Sequence, residues 1–154
     1  MPDVNSVRDG MIPAILRYRP GTKTENLVRA HFQKFEAFKI DEQQSEQPKI
    51  KKLLQNASKQ GAGRGYPEFL IHHKKNPNLL IVIECKADHL KHASSTGDKY
   101  SEYAVDGVLL YASCLAKGFD VLAIAVSGET AKNLKVSHFL HLDGANSSTK
   151  CNFE

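Results

Sequence analysis

Two charged residues interrupt the most apolar part of the chain. Glu84 and Lys86 lie in the run Leu79–Ala87, LLIVIECKA, whose nearly continuous β-branched composition predicts a strand buried on both faces. Because side chains alternate along a strand, Glu84 and Lys86 share one face and Cys85 lies on the other. Charges inside a sheet are costly unless they are paired or bind something. The two charges therefore mark a candidate site near the carboxyl end of this strand, where open α/β sheets hold ligands.

A second acidic residue lies on the preceding run of the chain. Pro67-Glu68 opens the apolar segment Glu68–His73, and Asn-Pro-Asn before the next run is strong turn chemistry, so the two runs predict a hairpin. Folding about Asn76–Pro77 brings Glu68 opposite Glu84–Lys86, to within one residue. Two carboxylates held this close repel each other unless a cation joins them.

Mg²⁺ suits such a pair because it prefers oxygen ligands and retains several waters. The backbone carbonyl of Cys85 is a candidate third ligand, beside Glu68 and Glu84. A bound metal polarises a phosphoryl oxygen and lowers the pKa of its water, while Lys86 positions or helps to deprotonate that water, or stabilises charge on the phosphate. This chemistry is phosphodiester hydrolysis. The alternative is that Glu84 and Lys86 form an ordinary salt-bridged or solvated pair, as most E-x-K triplets on strands do.

The arrangement of these residues resembles the PD-(D/E)xK nuclease motif. Pro67-Glu68, a 15-residue gap and Glu84-Cys85-Lys86 follow its order, with Glu68 where the family usually has Asp. The stretches GRGYPEF, LLIVIECKAD and EYAVDGVLLYASCL resemble, more narrowly, the N-terminal cleavage domains of type I restriction subunits and of restriction endonucleases fused to adenine-N6 DNA methylases. The resemblance covers roughly residues 22–128.

This resemblance implies a fold, an activity and further site residues. The fold would be α/β, a restriction-endonuclease-like three-layer core with a central mixed β-sheet flanked by helices. The activity would be that of a Mg²⁺-dependent DNA endonuclease, with Mn²⁺ able to substitute. Glu25 matches the family's helical glutamate that assists metal binding, although its place in a capping box with Thr22 also explains it. Tyr103 matches a tyrosine on the helix after the ExK strand, and the glutamine that accompanies it has no match here.

The implied partner is double-stranded DNA, and the formal net charge of +4 is compatible with a polyanion. The resemblance also implies methylase, motor and specificity modules, either on the same chain or as subunits. It further implies a homodimer. Two alternatives stay open: a catalytically inactive nuclease-fold module for DNA binding or protein interaction, and a structure-specific repair nuclease. The candidate DNA contacts are Lys59, Arg64, Lys74, Lys91 and Tyr103.

Three other polar residues follow the ExK strand. Asp88 lies on the same strand face as Glu84 and Lys86, and a solvated strand end is the favoured interpretation. His89 and His92 are spaced like a metal pair, but the polar composition around them favours surface residues.

The chain divides into a lead-in (1–21, with a short helical turn around Met11–Arg17), a nuclease-like domain (22–145) and a frayed polar tail (146–154). Within the domain, 3.6-residue periodicity and turn residues predict the elements in order. These are a helix from Thr22–Glu25 through Phe38, a loop over 41–48, a short helix Ile50–Ala57, a glycine-rich loop Gly61–Gly65, the hairpin, a helix Tyr103–Leu115, a strand Phe119–Val126 and an edge strand Val136–Leu142.

Composition indicates the compartment. Cys85, Cys114 and Cys151 are odd in number and widely spaced, which argues against a disulfide framework or a zinc site and favours reduced thiols in the cytoplasm. The sequence has no run of 18 apolar residues and begins with no signal-like segment, so we expect no contact with a membrane.

Overall fold

The computed structural model describes residues 22–152. These residues form three α-helices, six strands and one short 3₁₀ turn. In chain order these are α1 (Lys23–Gln33), β1 (Phe38–Glu42), α2 (Pro48–Leu53), β2 (Phe69–His73), β3 (Asn76–Lys86), the 3₁₀ turn (His89–Lys91), α3 (Ala104–Leu115), β4 (Asp120–Ser127), β5 (Lys135–His141) and β6 (Thr149–Cys151).

The six strands make one mixed sheet whose spatial order follows the chain, β1-β2-β3-β4-β5-β6. Strands β3 and β4 are parallel and are joined through α3, whereas every other neighbouring pair is antiparallel. A parallel pair needs a long crossover, and the amphipathic run that becomes α3 supplies it.

Alternation along β3 separates two apolar layers. Leu80 and Val82 pack on the face that α2 and α3 cover, and Ile81 and Ile83 pack on the opposite face with Val28 of α1. The strand is buried on both sides because both faces carry helices. The predicted α/β fold, a central mixed sheet flanked by helices, is confirmed.

Helix α1 begins as its capping signature predicts but ends early. The Thr22 hydroxyl accepts a hydrogen bond from the Glu25 backbone N–H (3.3 Å), and the helix ends at Gln33. The prediction that it continues through Phe38, and that 41–48 is entirely loop, is wrong, because Phe38–Glu42 forms β1. Phe38 and Ile40 pack in the same apolar layer as Ile71, so sheet packing outweighs the helical spacing of the phenylalanines.

The hairpin forms with a turn two residues earlier than predicted. His73 pairs with Asn76, so Lys74-Lys75 is the turn and Asn76-Pro77-Asn78 already belongs to β3. The register then shifts to His72↔Leu80. Pro77 falls in this irregular stretch, where neither the β2 nor the β4 register gives it a partner, so proline is tolerated there.

The end of the chain also differs from prediction. Thr149–Cys151 pairs with His138–Leu140 as β6, so the segment after 145 is not simply a frayed tail. The helical turn predicted around Met11–Arg17 lies outside the described residues. Among residues 22–152, no helix has the length and apolar character needed to cross a lipid bilayer.

Candidate active site

Glu84 is the only acidic residue of β3 and has no exposed surface. It lies two residues before the end of the strand, on the face that α3 covers, as the alternation predicts. Its Oε1 accepts a hydrogen bond from the Glu68 backbone N–H (3.0 Å), and its Oε2 accepts one from the Lys59 ammonium (2.8 Å). The carboxylate is thus held by one amide and one ion pair.

Gly107 makes room for this buried group in the first turns of α3. A Cβ there would lie 3.5 Å from Glu84 Oε2, 3.4 Å from Lys59 Cδ and only 2.7 Å from the carbonyl oxygen of Tyr100. The last distance is shorter than any side chain tolerates. The glycine therefore lets α3 approach the Lys59–Glu84 pair closely.

Glu68 lies directly before β2, across from Glu84. The register Phe69↔Ile83, continued by one residue, sets Glu68 opposite Glu84. Glu68 is half-buried, and its backbone amide holds the Glu84 carboxylate. The structure therefore brings together the two acidic residues that the sequence singled out.

Lys86 lies at the last position of β3, and its ammonium points toward the segment before α3. Its Nζ donates to the carbonyl oxygen of Ser101 at 2.7 Å. On the other side of the strand, Lys86 pairs with Ser127 of β4. The lysine shares the sheet face of Glu84, while Lys59 supplies the cation that contacts that carboxylate.

Glu25 is brought to this end of the sheet by the residue before it. The buried Thr24 hydroxyl donates to the carbonyl oxygen of Gly128 (2.6 Å) and lies 3.5 Å from the carbonyl oxygen of Lys86. The first turn of α1 is thereby fixed at the carboxyl ends of β3 and β4.

The electrostatics of Cys85 show that the three acidic residues act on a common region. Burial raises the pKa of the Cys85 thiol far above its usual value, and the negative charges of Glu84, Glu68 and Glu25 raise it further, in that order, against an opposing contribution from Arg29. Burial and the charge of Glu84 likewise raise the pKa of Tyr111 on the other sheet face. The charges of Glu84 and Glu68 therefore act on side chains of both sheet faces near the carboxyl end of β3.

The donors present fit a hard divalent cation. Each Glu84 oxygen accepts one hydrogen bond and retains a second lone pair, and Glu68 lies opposite it. With the predicted Cys85 carbonyl, the remaining positions would go to water, which Mg²⁺ retains readily. Within residues 22–152, no three side chains of the His, Cys, Asp or Glu type converge to hold a metal by themselves.

The predicted DNA contacts lie in three different connecting segments of the fold. Lys59 points inward and its ammonium forms an ion pair with Glu84, so its contact with DNA stays a prediction. Lys74 lies in the hairpin turn, roughly 25 Å along β3 from Glu84 at about 3.3 Å per residue, and so lies far from the site. The Lys91 ammonium contacts the Tyr103 ring (4.9 Å) and Glu102 (3.6 Å), close to the start of α3. Arg64 is exposed within the glycine-rich loop.

His92 has a structural role that the sequence did not reveal. Its ring nitrogens lie 2.7 Å from the Ser127 hydroxyl and 2.8 Å from the Ser137 hydroxyl, so it bridges β4 and β5 and is not a surface residue. Burial, followed by the charges of Lys135 and Lys150, lowers its pKa.

Asp106, in the first turn of α3, is a buried acid that the sequence analysis missed. It accepts hydrogen bonds from the Ser94 N–H (3.1 Å), the Ser94 hydroxyl and the Lys99 N–H (2.9 Å). The sequence feature that could have indicated a buried acid is the position of this aspartate inside the apolar pattern of a helix. Asp88 accepts from the Leu90 N–H and starts the 3₁₀ turn, which agrees with an exposed strand end.

No family model, no curated protein and no solved structure matches this chain. Membership of the PD-(D/E)xK superfamily therefore stays a prediction based on the motif and the order of the elements.

Proposed function

We propose that the chain is a metal-dependent DNA endonuclease domain of the restriction type. The observation that supports this most is the fully buried Glu84 carboxylate near the carboxyl end of a central strand, opposite Glu68 and on the face of Lys86. A buried carboxylate at a strand end is costly and is typical of a functional site. The order of these residues is that of the PD-(D/E)xK motif.

In this proposal Glu68 and Glu84 hold Mg²⁺, with Mn²⁺ able to replace it, and the Cys85 carbonyl is a further ligand. When bound, the metal polarises the phosphodiester and supplies a more acidic water. Lys86 orients that water or stabilises charge on the phosphate, and Glu25, fixed by Thr24, strengthens the negative potential that attracts the cation.

The proposed substrate is double-stranded DNA. The net charge of +4 favours a polyanion. Cleavage of both strands would use a homodimer, and methylase, motor or specificity modules would direct it. Three free cysteines fit a reducing cytoplasm.

The ion pair of Lys59 favours a second candidate function. Lys59 already neutralises Glu84, and the Lys86 ammonium is bound to Ser101. A nuclease fold whose charged groups satisfy one another is also suited to binding DNA or protein without catalysis.

Nicking of supercoiled plasmid separates the two candidates. We would assay wild type, Lys86→Ala and Glu84→Gln in Mg²⁺, Mn²⁺ and EDTA, with Glu102→Gln as a matched control in an exposed ion pair. The nuclease proposal expects metal-dependent nicking in wild type and Glu102→Gln and its loss in the other two variants. DNA binding that persists in EDTA without nicking in any metal would favour the non-catalytic module.

A further inference from the structure

Lys59 lies just before the glycine-rich loop, in a turn between α2 and β2 that is closed by backbone hydrogen bonds. The Ser58 N–H donates to the Gly63 carbonyl (3.0 Å), and the Gly61 N–H donates to the Ser58 carbonyl (3.2 Å). Gly61 and Gly63 have φ angles of 98° and 100°, which only glycine adopts without strain. The backbone thus forms a compact turn from which the Lys59 side chain extends inward.

The ammonium of Lys59 is placed as a counter-ion and has little contact with solvent. It lies 2.8 Å from Glu84 Oε2, with 19% of the side chain exposed and none of the Glu84 side chain. It also lies 5.6 Å from the centre of the Tyr111 ring. One positive charge therefore compensates the buried carboxylate.

We propose that Lys59 and a divalent cation compete for Glu84, so that metal loading displaces the Lys59 ammonium. This inference rests on the proposed function, because it uses the same metal ligand. A dication on the Glu84 carboxylate would lie close to the ammonium, and like charges at such distances repel strongly where water is scarce. Lys59 sets the metal affinity of the site because its ammonium contacts Glu84, whereas the Lys86 ammonium donates to the Ser101 carbonyl.

The test is the affinity of the substrate-free protein for Mn²⁺, measured by titration calorimetry on the full chain. Lys59→Met removes the competing charge, and Lys51→Met removes the same charge from an exposed ion pair with Glu46. We expect Lys59→Met to bind Mn²⁺ more tightly by on the order of ten-fold, and Lys51→Met to bind like wild type. Lys59→Gln, which keeps a hydrogen-bond donor for Glu84, replaces Lys59→Met if that variant does not fold.

The position of the metal is checked by adding Glu84→Gln to each variant, which should abolish the tighter binding. Unchanged or weaker Mn²⁺ affinity after removal of the Lys59 charge overturns the inference, and so does absence of binding in both wild type and variant. Failure of the proposed function is a separate result. Tighter, Glu84-dependent Mn²⁺ binding without plasmid nicking would keep the competition and reject the nuclease.

Discussion

The ammonium of Lys59 lies 2.8 Å from the carboxylate of Glu84, although 25 positions separate the two residues in the chain. Removing one member of a buried ion pair leaves the other charge uncompensated. We expect Lys59→Met to lower the free energy of unfolding of the metal-free protein by about 2–3 kcal/mol. This is less than for an ion pair without any solvent contact, because the Lys59 side chain keeps some contact with water.

Urea denaturation monitored by circular dichroism measures this effect. Lys51→Met, whose partner Glu46 is exposed, should change the free energy of unfolding by less than about 0.5 kcal/mol. Equal effects of the two substitutions would show that the Lys59–Glu84 pair has no special energetic role.

Gly107 is a helical position where alanine should destabilise the protein. In an ordinary helix interior, alanine is better than glycine by about 1 kcal/mol. Here the new Cβ would meet the Tyr100 carbonyl oxygen at 2.7 Å, and backbone cannot move aside as a flexible side chain does. We expect Gly107→Ala to lower the free energy of unfolding by about 2 kcal/mol, whereas Ser113→Ala on the exposed side of α3 should be nearly neutral. A stabilised Gly107→Ala variant would mean that α3 does not approach the site this closely.

His92 should make stability fall as the solution becomes acidic. Burial lowers the pKa of His92 below its usual value of 6.5, so the unfolded chain takes up a proton at a higher pH than the folded protein does. The neutral His92 contributes fully to stability above pH 6.5. This contribution is lost as the pH falls from 6.5 toward the lower pKa of His92 in the folded protein. Urea midpoints from about pH 7.5 to about pH 5 should therefore drop less steeply in His92→Gln than in wild type. Burial also lowers the pKa of His138, so His138→Gln should flatten the curve in the same direction.

Cys85 should resist alkylation in the folded protein. Its thiol is buried, and burial together with the charges of Glu84, Glu68 and Glu25 raises its pKa, so the reactive thiolate is scarce. Peptide mapping after iodoacetamide treatment should find Cys151, which is half-buried at the end of the edge strand β6, modified long before Cys85. The two thiols should be alkylated at equal rates in urea. If Cys85 and Cys151 were also alkylated at equal rates in the native protein, this would contradict the buried placement of Cys85.

The sequence predicted the sheet core because the deciding signals are local. The apolar run of β3, the alternation that separates Glu84 from Cys85 and the hairpin that sets Glu68 opposite Glu84 all follow from short-range spacing. The helix cap at Thr22 is equally local. These features fix the central strands and the relation between the two acidic residues.

The remaining features depend on partners distant in the chain. Phe38 continues the helical spacing of α1, and only packing against β2 makes it a strand residue. β6 has three residues, and its pairing with β5 is not encoded in its own pattern. Lys59 beside a glycine-rich loop has the composition of a phosphate contact, and nothing near it in sequence indicates Glu84. His92 bridges two serines that are 35 and 45 positions away.

The hydroxyl of Thr24 reaches the Gly128 carbonyl across 104 positions of the chain. Contacts of such long range form late, because the entropy of closing the intervening loops must be overcome before they stabilise the structure. Because this hydrogen bond needs Gly128, directly after β4, we expect Glu25 to be held beside Glu68 and Glu84 only once the parallel β3–β4 pair has formed. A nascent chain whose β4 has not yet been synthesised would contain all three acidic residues but not the hydrogen bond that holds the start of α1 at the end of the sheet.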